Sequence, residues 1–165
     1  FRDVDVVVQN WTRKRIQRTY SIDDYIQYAP ISGVFLLDII GVPARHNVAE
    51  RTFVVISSGL ICTSISHGTK FLLNTRRPDS RARNSFPSAH TSLAFWGAHI
   101  LYKEYKDVSP WIGIAGYVIA SATAIFRVVN DRHWFSDIVG GTGVGILSVE
   151  LGYLLLKPGK RVFHF

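Results

Sequence analysis

Five stretches dominated by apolar residues alternate along the chain with short polar stretches: residues 25–42, 52–73, 89–102, 110–126 and 138–156. The fourth carries no charged residue and the fifth carries only Glu150, so these two, at roughly 17 to 20 residues, resemble membrane-spanning helices. Neither strand-like alternation nor an internal repeat is evident. The pattern therefore predicts an all-α transmembrane helix bundle with five apolar helices. A soluble helical bundle is the alternative, because short apolar runs also form buried core helices.

The first two dozen residues have a different pattern. An apolar stripe and a basic cluster lie side by side in this stretch: Val4, Val7, Val8 and Trp11, and Arg13, Lys14, Arg15 and Arg18. This combination is typical of a helix that lies in the membrane interface. A solvated basic linker is the alternative. We therefore divide the chain into an interfacial basic amphipathic segment, residues 1–24, and a membrane-embedded core, residues 25–165.

Charge and composition refine this division. The formal net charge is +7 and 47% of the residues are hydrophobic. A basic chain would usually suggest nucleic-acid binding, but here the basic residues fall between long apolar segments, which favours a membrane and argues against nucleic acid. Cys62 has no partner for an intrachain disulfide. Methionine is absent, so we expect the chain to be processed or part of a longer protein.

Polar clusters that suit phosphate chemistry lie at the ends of the apolar segments, in residues 70–78, 85–90 and 127–137. If each segment crosses the membrane once, all three clusters fall on the same face, because the second segment ends where the third begins and the fourth ends where the fifth begins. Basic residues occur in equal numbers on the two faces and do not orient the chain.

The first cluster provides two cations. Lys70 and Arg77 are seven positions apart, which is two helical turns, and Pro78 is expected to end the helix after both. Positioned cations stabilise the charge of a transferring phosphoryl group. The alternative is a basic helix end that complements its own dipole or lipid headgroups.

The second cluster predicts a helix start. Ser85 is the candidate N-cap, Pro87 lies in the first turn, and the free backbone N–H groups around Ser88 and Ala89 would form an anion site. His90 lies beside that site and would supply a proton donor. An interfacial histidine without a role is the alternative.

The third cluster combines a cation with a histidine–carboxylate pair. His133 and Asp137 are four apart on one helical face, so the carboxylate can hold one imidazole nitrogen and leave the other as a nucleophile. Arg127 adds a cation. Taken alone, such a pair is equally consistent with a local hydrogen bond.

The three motifs in this order, Lys-x6-Arg-Pro, Pro-Ser-x-His and Arg-x5-His-x3-Asp, resemble those of the type 2 phosphatidic acid phosphatase superfamily over about residues 52–156. Two positions depart from the family's pattern. Ala89 replaces the usual glycine, and would be strained if the position required a positive φ. Phe126 replaces the usual serine and removes a hydroxyl from the site.

The resemblance implies a helical fold and a two-step mechanism without metal or other cofactor. His133, oriented by Asp137, would attack phosphorus, and His90 would protonate the leaving oxygen and later activate water. The phosphate-binding residues would be Lys70, Arg77, Ser88, Ala89 and Arg127. The substrate would be a lipid phosphate or diphosphate.

The resemblance also bears on location and on alternatives. Membrane members of the family have six spans, with the site facing away from the cytoplasm, so we expect an integral protein of the plasma or inner membrane and a missing first span. A lipid phosphotransferase, a vanadium haloperoxidase-like enzyme and a non-catalytic lipid-binding scaffold remain as alternatives.

Overall fold

The computed structural model describes residues 2–16 and 20–163, in which helices joined by loops are present and no strand occurs. Seven helices follow in order: α1 Arg2–Arg15, α2 Asp23–Ile26, α3 Ala29–Ile39, α4 Val48–Leu73, α5 Ala89–Tyr105, α6 Pro110–Val129 and α7 Phe135–Phe163. The prediction of an all-α chain is confirmed for this part. Arg18 of the predicted basic cluster lies outside the described residues.

Helix α5 forms the centre of the bundle. It packs against α3, α6 and α7, and α4 covers the other side of α7. Its buried side chains include Trp96, Ile100 and Leu101. Glycine lets α7 approach closely: a Cβ at Gly145 would lie 2.5 Å from the carbonyl oxygen of Ser92. The close packing of α5 on α7 holds the second and third sequence motifs in register.

Three helices, α4, α6 and α7, are long and apolar enough to cross a membrane by length and composition. The other two predicted segments differ. Helix α3 has 11 residues, about 16 Å against the roughly 30 Å of a hydrocarbon core. The apolar stretch of residues 25–42 is divided because α2 ends at Ile26 and Pro30 stands in the first turn of α3. Helix α5 has 17 residues and is largely enclosed by protein.

The end of α4 differs from the expectation for the first motif. The helix ends at Leu73, and Asn74 follows in the left-handed conformation with φ 49°. An asparagine in this conformation is a common helix stop, so the helix ends before Pro78 is reached. The prediction that one helix carries both Lys70 and Arg77 and ends at Pro78 is therefore wrong, and Arg77 lies in the loop that follows.

The start of α5 also differs. Ser88, and not Ser85, is the N-cap, and its side chain accepts a hydrogen bond from the backbone N–H of Thr91. Pro87 precedes the helix. Among the described residues, the non-glycine positions with positive φ are Asn74 and Asp131. Ala89 is the first helical residue, so the structure shows no left-handed strain where it replaces the family's glycine.

Helix α1 binds the protein through its polar face. Asp5 and Gln9 are buried, whereas Val7 and Trp11 are 67% and 52% exposed. The Asp5 carboxylate accepts hydrogen bonds from the backbone N–H and the hydroxyl of Ser136, at 2.7 and 2.8 Å. These contacts fix α1 to the first turn of α7 and leave Val4, Val7 and Trp11 exposed, whereas Val8 packs against the buried cluster of Ala124, Val128 and Ile138.

Candidate active site

The histidine of the third motif lies in the short loop between α6 and α7. His133 is 1% exposed, and its Nδ1 lies 3.2 Å from Oδ2 of Asp137. No partner of its Nε2 occurs among the residues that the structure describes. The carboxylate therefore holds one ring nitrogen, as the spacing predicted, and the other is left for chemistry.

Burial, together with the nearby Arg77 and Arg127, lowers the pKa of His133 to about 4, against the opposing effect of Asp137. The pKa falls because an imidazolium loses hydration when it is buried and is repelled by neighbouring cations. The ring is thus neutral at physiological pH. A neutral imidazole is the form that can act as a nucleophile.

Ser85 makes an unexpected contribution to this site. Oδ2 of Asp137 accepts a hydrogen bond from the Ser85 hydroxyl at 2.5 Å and one from the backbone N–H of Trp134 at 2.9 Å. With His133, three donors converge on one oxygen. The arrangement fixes the carboxylate, and through it the imidazole, between the second and third motifs. Nothing in the sequence pattern distinguished Ser85 as a partner of Asp137.

Lys70 lies at the end of α4 and points at the loop before α5. Its ammonium donates to the backbone oxygens of Asn84, Ser85 and Pro87 at 2.6, 3.3 and 2.7 Å. An ammonium has three N–H donors, so the lysine binds the loop with all of them. Lys70 therefore fixes the loop that supplies Ser85 while placing a positive charge beside the site.

Arg77 reaches the same loop from the other side. Its Nε donates to Oδ1 of Asn84 at 2.8 Å, and its backbone N–H donates to the carbonyl of Ala82 at 3.0 Å. Burial lowers the pKa of Arg77, although a guanidinium stays protonated at any physiological pH. The two cations of the first motif thus meet through Asn84 although they do not share a helix.

Arg127 is held by acidic residues. Its Nη1 donates to Oδ2 of Asp23 at 2.7 Å and to Oδ1 of Asp24 at 3.3 Å. Its Nε is buried and has no hydrogen-bond partner among the described residues. A buried guanidinium N–H without a partner costs free energy unless a ligand satisfies it, which fits a phosphate oxygen at this position.

His90 contacts one of the two carboxylates that hold Arg127. Its Nε2 lies 3.1 Å from Oδ1 of Asp24. Asp23 and Asp24 were not singled out from the sequence, because they fall in the stretch interpreted as an interfacial basic segment. The available signal was an adjacent acidic pair directly before an apolar segment, which is weak on its own.

The anion site at the start of α5 has fewer free N–H groups than predicted. The backbone N–H of Ser88 donates to the carbonyl of Asp137 at 3.0 Å, and Ser88 is fully buried. That N–H is therefore occupied. Ala89 and His90 are the next residues of the first turn, where helix N–H groups lack intrahelical acceptors.

A cavity of about 800 Å³ opens beside Asp137. Cationic and aromatic side chains line it, among them Arg2, Arg76, Arg77, Arg81 and Trp134. Within the described ranges, no three His, Cys, Asp or Glu side chains group as metal ligands would. The candidate site thus combines a neutral histidine, a second histidine paired with a carboxylate, and several cations. The cavity adjoins it at Arg77 and Asp137.

These features match a known family. The sequence profile of the PAP2 superfamily matches residues 51–159, and the chain belongs to that superfamily. It is 38% identical over 133 residues, 80% of its length, to a lipid A 1-phosphatase of Porphyromonas gingivalis. The matched region is 30% of that relative's length. The resemblance stated from the three motifs is confirmed.

Two solved structures share the fold. LpxE of Aquifex aeolicus aligns with a TM-score of 0.63 at 19% identity, covering 92% of this chain and 93% of its own. A transmembrane PAP2-type phosphatidylglycerolphosphate phosphatase of Bacillus subtilis aligns with a TM-score of 0.53 at 24% identity, covering 97% and 88%. With three helices of spanning length, the chain is an integral membrane protein.

Proposed function

We propose that this chain hydrolyses a lipid phosphate or diphosphate through a phosphohistidine intermediate, without a metal ion. One observation supports this above all: Asp137 holds Nδ1 of a neutral, buried His133, while Nε2 has no partner among the described residues. An oriented imidazole with one unused nitrogen is an activated nucleophile.

In the first step, Nε2 of His133 attacks phosphorus and the bond between phosphorus and the lipid oxygen breaks. His90 gives a proton to that oxygen, so the lipid leaves as an alcohol or, from a diphosphate, as a monophosphate. Arg127, Arg77 and Lys70 stabilise the charge on the phosphoryl oxygens. The N–H of Ala89 completes the proposed phosphate site at the start of α5, and of Ser88, whose N–H is bonded to the carbonyl of Asp137, only the hydroxyl is left to contribute.

In the second step, water attacks the phosphohistidine. His90, now neutral, takes a proton from the water, the bond between phosphorus and nitrogen breaks, and inorganic phosphate is released. His133 returns to its neutral form, held by Asp137. Over the whole cycle both histidines return to their starting protonation states, and the phosphoryl group passes from the lipid to water, which is the only other reactant.

The cavity beside the site favours a substrate with a large anionic headgroup. Its volume of about 800 Å³ and its arginine lining exceed what a single phosphate requires. Since the Porphyromonas relative is named a lipid A 1-phosphatase, a phosphorylated saccharolipid of the lipid A type is the first substrate to test. Diacylglycerol phosphates and polyprenyl diphosphates are the comparison substrates.

The test is a substrate panel on purified protein in mixed micelles, with released phosphate as the readout. We expect turnover to persist in excess chelator and to be blocked by vanadate, with an acid-labile phosphoprotein trapped on rapid quenching. Loss of turnover in chelator that a divalent ion restores would overturn the metal-free mechanism. Phosphate that appears on an added alcohol instead of in solution would indicate a phosphotransferase.

We also propose that the site faces away from the cytoplasm of a plasma or inner membrane. Single cysteines at Ser80 and Asp107, in a Cys62→Ala background, would lie in loops at the two ends of the bundle. An impermeant thiol reagent added to intact cells should label only the first. Labelling of the second alone would reverse the orientation.

The apolar side of α1 supports an interfacial position for residues 1–24. Val7 and Trp11 point away from the protein while Asp5 is buried against α7. A nitroxide at Val7 should therefore report lipid contact in nanodiscs, whereas one at the exposed polar position Asn10 should report water. Equal water exposure at both positions would favour a solvated helix.

A further inference from the structure

Two adjacent carboxylates of α2 reach the candidate site, and neither belongs to the three motifs. Asp23 is buried and accepts hydrogen bonds from Arg127 at 2.7 Å and from Nδ2 of Asn130 at 3.0 Å. Asp24 has a side chain that is 55% exposed and lies between Arg127 and His90. The pair therefore divides its contacts, with the first residue committed to the arginine and the second open to the histidine.

Asp24 has its shorter contact with the histidine. Its Oδ1 is 3.1 Å from Nε2 of His90 and 3.3 Å from Nη1 of Arg127. Arg127 is already held by Asp23 at a shorter distance. The position of Arg127 thus does not depend on Asp24, whereas His90 has no other hydrogen-bond partner for its ring among the described residues.

We propose that Asp24 is a positioning residue that orients His90 and retains its proton for the leaving lipid oxygen. This inference rests on the proposed function. Asp24 holds Nε2–H, so Nδ1–H of the imidazolium is the proton delivered to the leaving oxygen. After transfer, the neutral ring keeps its Nε2–H bonded to Asp24 and can accept a proton from water at Nδ1.

The charged groups around His90 explain why a carboxylate is needed there. Burial and, after it, repulsion by Arg127 on α6 lower the pKa of His90, while Asp24 and Asp23 on α2 oppose this shift. Without Asp24, the repulsion between Arg127 and a proton on His90 is less fully offset. His90 would then lose its proton at lower pH and would spend less time as an acid.

The contact between His90 and Asp24 resembles the contact between the proposed nucleophile, His133, and Asp137. In both cases a carboxylate holds one ring nitrogen and leaves the other free, Asp137 through Nδ1 of His133 and Asp24 through Nε2 of His90. The surroundings differ in burial, because His133 is fully enclosed, whereas the side chain of His90 is partly exposed beside two acids. The geometry thus assigns one histidine to attack and the other to proton transfer.

Asp24→Asn tests the proposal, with Asp3→Asn, an exposed acid on α1, as the control for loss of one negative charge. With an alkyl lipid phosphate, we expect the basic limb of the kcat profile to move to lower pH by about one unit, and kcat at pH 8 to fall about tenfold. An activated aryl phosphate should lose no more than about twofold, because its leaving group needs little protonation. Asp24→Glu should restore much of the loss.

Two kinetic outcomes would overturn the proposal. One is an unchanged pH profile in Asp24→Asn. The other is a lower KM with kcat unaltered, which would mean that the carboxylate only competes with phosphate for Arg127. Because Asp24 is exposed, the variant is expected to fold, and gel filtration in detergent checks this.

A second measurement separates this proposal from the proposed function. Histidine-labelled NMR, with His90 assigned from His90→Gln, should show a smaller protonated fraction of His90 in Asp24→Asn than in wild type at pH 7. Equal fractions would overturn the role of Asp24 even in an active enzyme. A wild-type protein that hydrolyses no lipid phosphate would instead overturn the proposed function, and the titration would still show whether Asp24 holds the proton.

Discussion

Two histidine–carboxylate pairs occupy different regions of the bundle and invite comparison. At the active-site end, His133 pairs with Asp137. In the middle of α5, His99 contacts Glu150 of α7 through Nε2 at 2.7 Å and the Tyr117 hydroxyl through Nδ1 at 2.5 Å. The second pair is fully engaged, since both ring nitrogens have partners. It ties α5, α6 and α7 together.

We infer from this contrast that a histidine–carboxylate pair does not by itself confer the proposed reactivity. Both carboxylates are well supplied with donors, since Lys103 also binds Glu150 and Ser85 also binds Asp137. The difference lies at the second ring nitrogen, which has a hydrogen-bond partner in His99 and has none within the described ranges in His133. We therefore attribute the proposed reactivity of His133 to its unused nitrogen beside the cations Arg77 and Arg127.

The largest effect is expected from His133→Gln. The variant removes the proposed nucleophile while keeping a polar side chain, so kcat should fall by roughly 10⁴-fold or more on every substrate. Phosphate release and phosphoprotein trapping are the measurements. Near wild-type turnover in a folded, membrane-inserted variant would refute the assignment of His133.

His90→Gln should have a large effect that depends on the leaving group. Removing an acid costs about 10²–10⁴-fold when the leaving oxygen is an alkoxide, and far less when it is a phenolate. We therefore expect kcat to fall steeply for an alkyl lipid phosphate and by less than about tenfold for an aryl phosphate. Equal losses on both substrates would argue that His90 is not the acid.

The proton affinity of His133 should be lower than that of an ordinary histidine by roughly 300-fold. Its pKa is about 4, so at pH 5.5 the ring should be almost wholly neutral, whereas about nine-tenths of a free imidazole with a pKa near 6.5 is protonated. Histidine-labelled NMR measures this difference. A midpoint near pH 6.5 would contradict the effect of burial.

The lowered pKa of His133 also makes the stability of the folded protein depend on pH. The unfolded chain takes up a proton at His133 near pH 6.5, and the folded protein does so only near pH 4. The contribution of His133 is therefore neutral above pH 6.5 and increasingly destabilising as the pH falls from 6.5 toward 4. A melting temperature that falls across this window in wild type, and falls less in His133→Gln, is the expected result.

Ser85→Ala should have a moderate effect. It removes one of the three donors on Asp137 without touching the phosphate site, so the imidazole is held less firmly and kcat should fall about tenfold. Ser148→Ala is the matched control, because that buried serine contacts the carbonyl of Val144 in its own helix and the thiol of Cys62 on α4, neither of which belongs to the candidate site. A fall of the same size in the control would indicate a general loss of packing.

The smallest effect on turnover is expected from His99→Gln. Its partners Tyr117 and Glu150 would lose hydrogen bonds, which should cost about 1–3 kcal/mol of stability, while kcat should stay within about twofold because no contact to the site is lost. Thermal unfolding in detergent and phosphate release measure the two effects. A strong loss of kcat at wild-type stability would show that this pair participates in the reaction.

The sequence by itself determined the local features. Apolar runs specified where helices form, because burial or lipid contact requires a continuous apolar surface. The spacing of four positions placed His133 and Asp137 within reach, since residues i and i+4 lie on one side of a helical turn. Membership of the PAP2 superfamily followed from three short motifs whose order is more specific than any one of them.

Only the tertiary structure decided the rest. Ser85 and Asp137 are 52 positions apart, and Asp23 and Arg127 are 104 apart, so their contacts depend on how whole helices pack. Periodicity carries no information about such pairs. The orientation of α1 is another case, because its amphipathic pattern was visible but not that its polar side would bind Ser136 of α7. Local spacing fixes which residues share a turn, whereas helix packing fixes which distant side chains satisfy each other's hydrogen bonds.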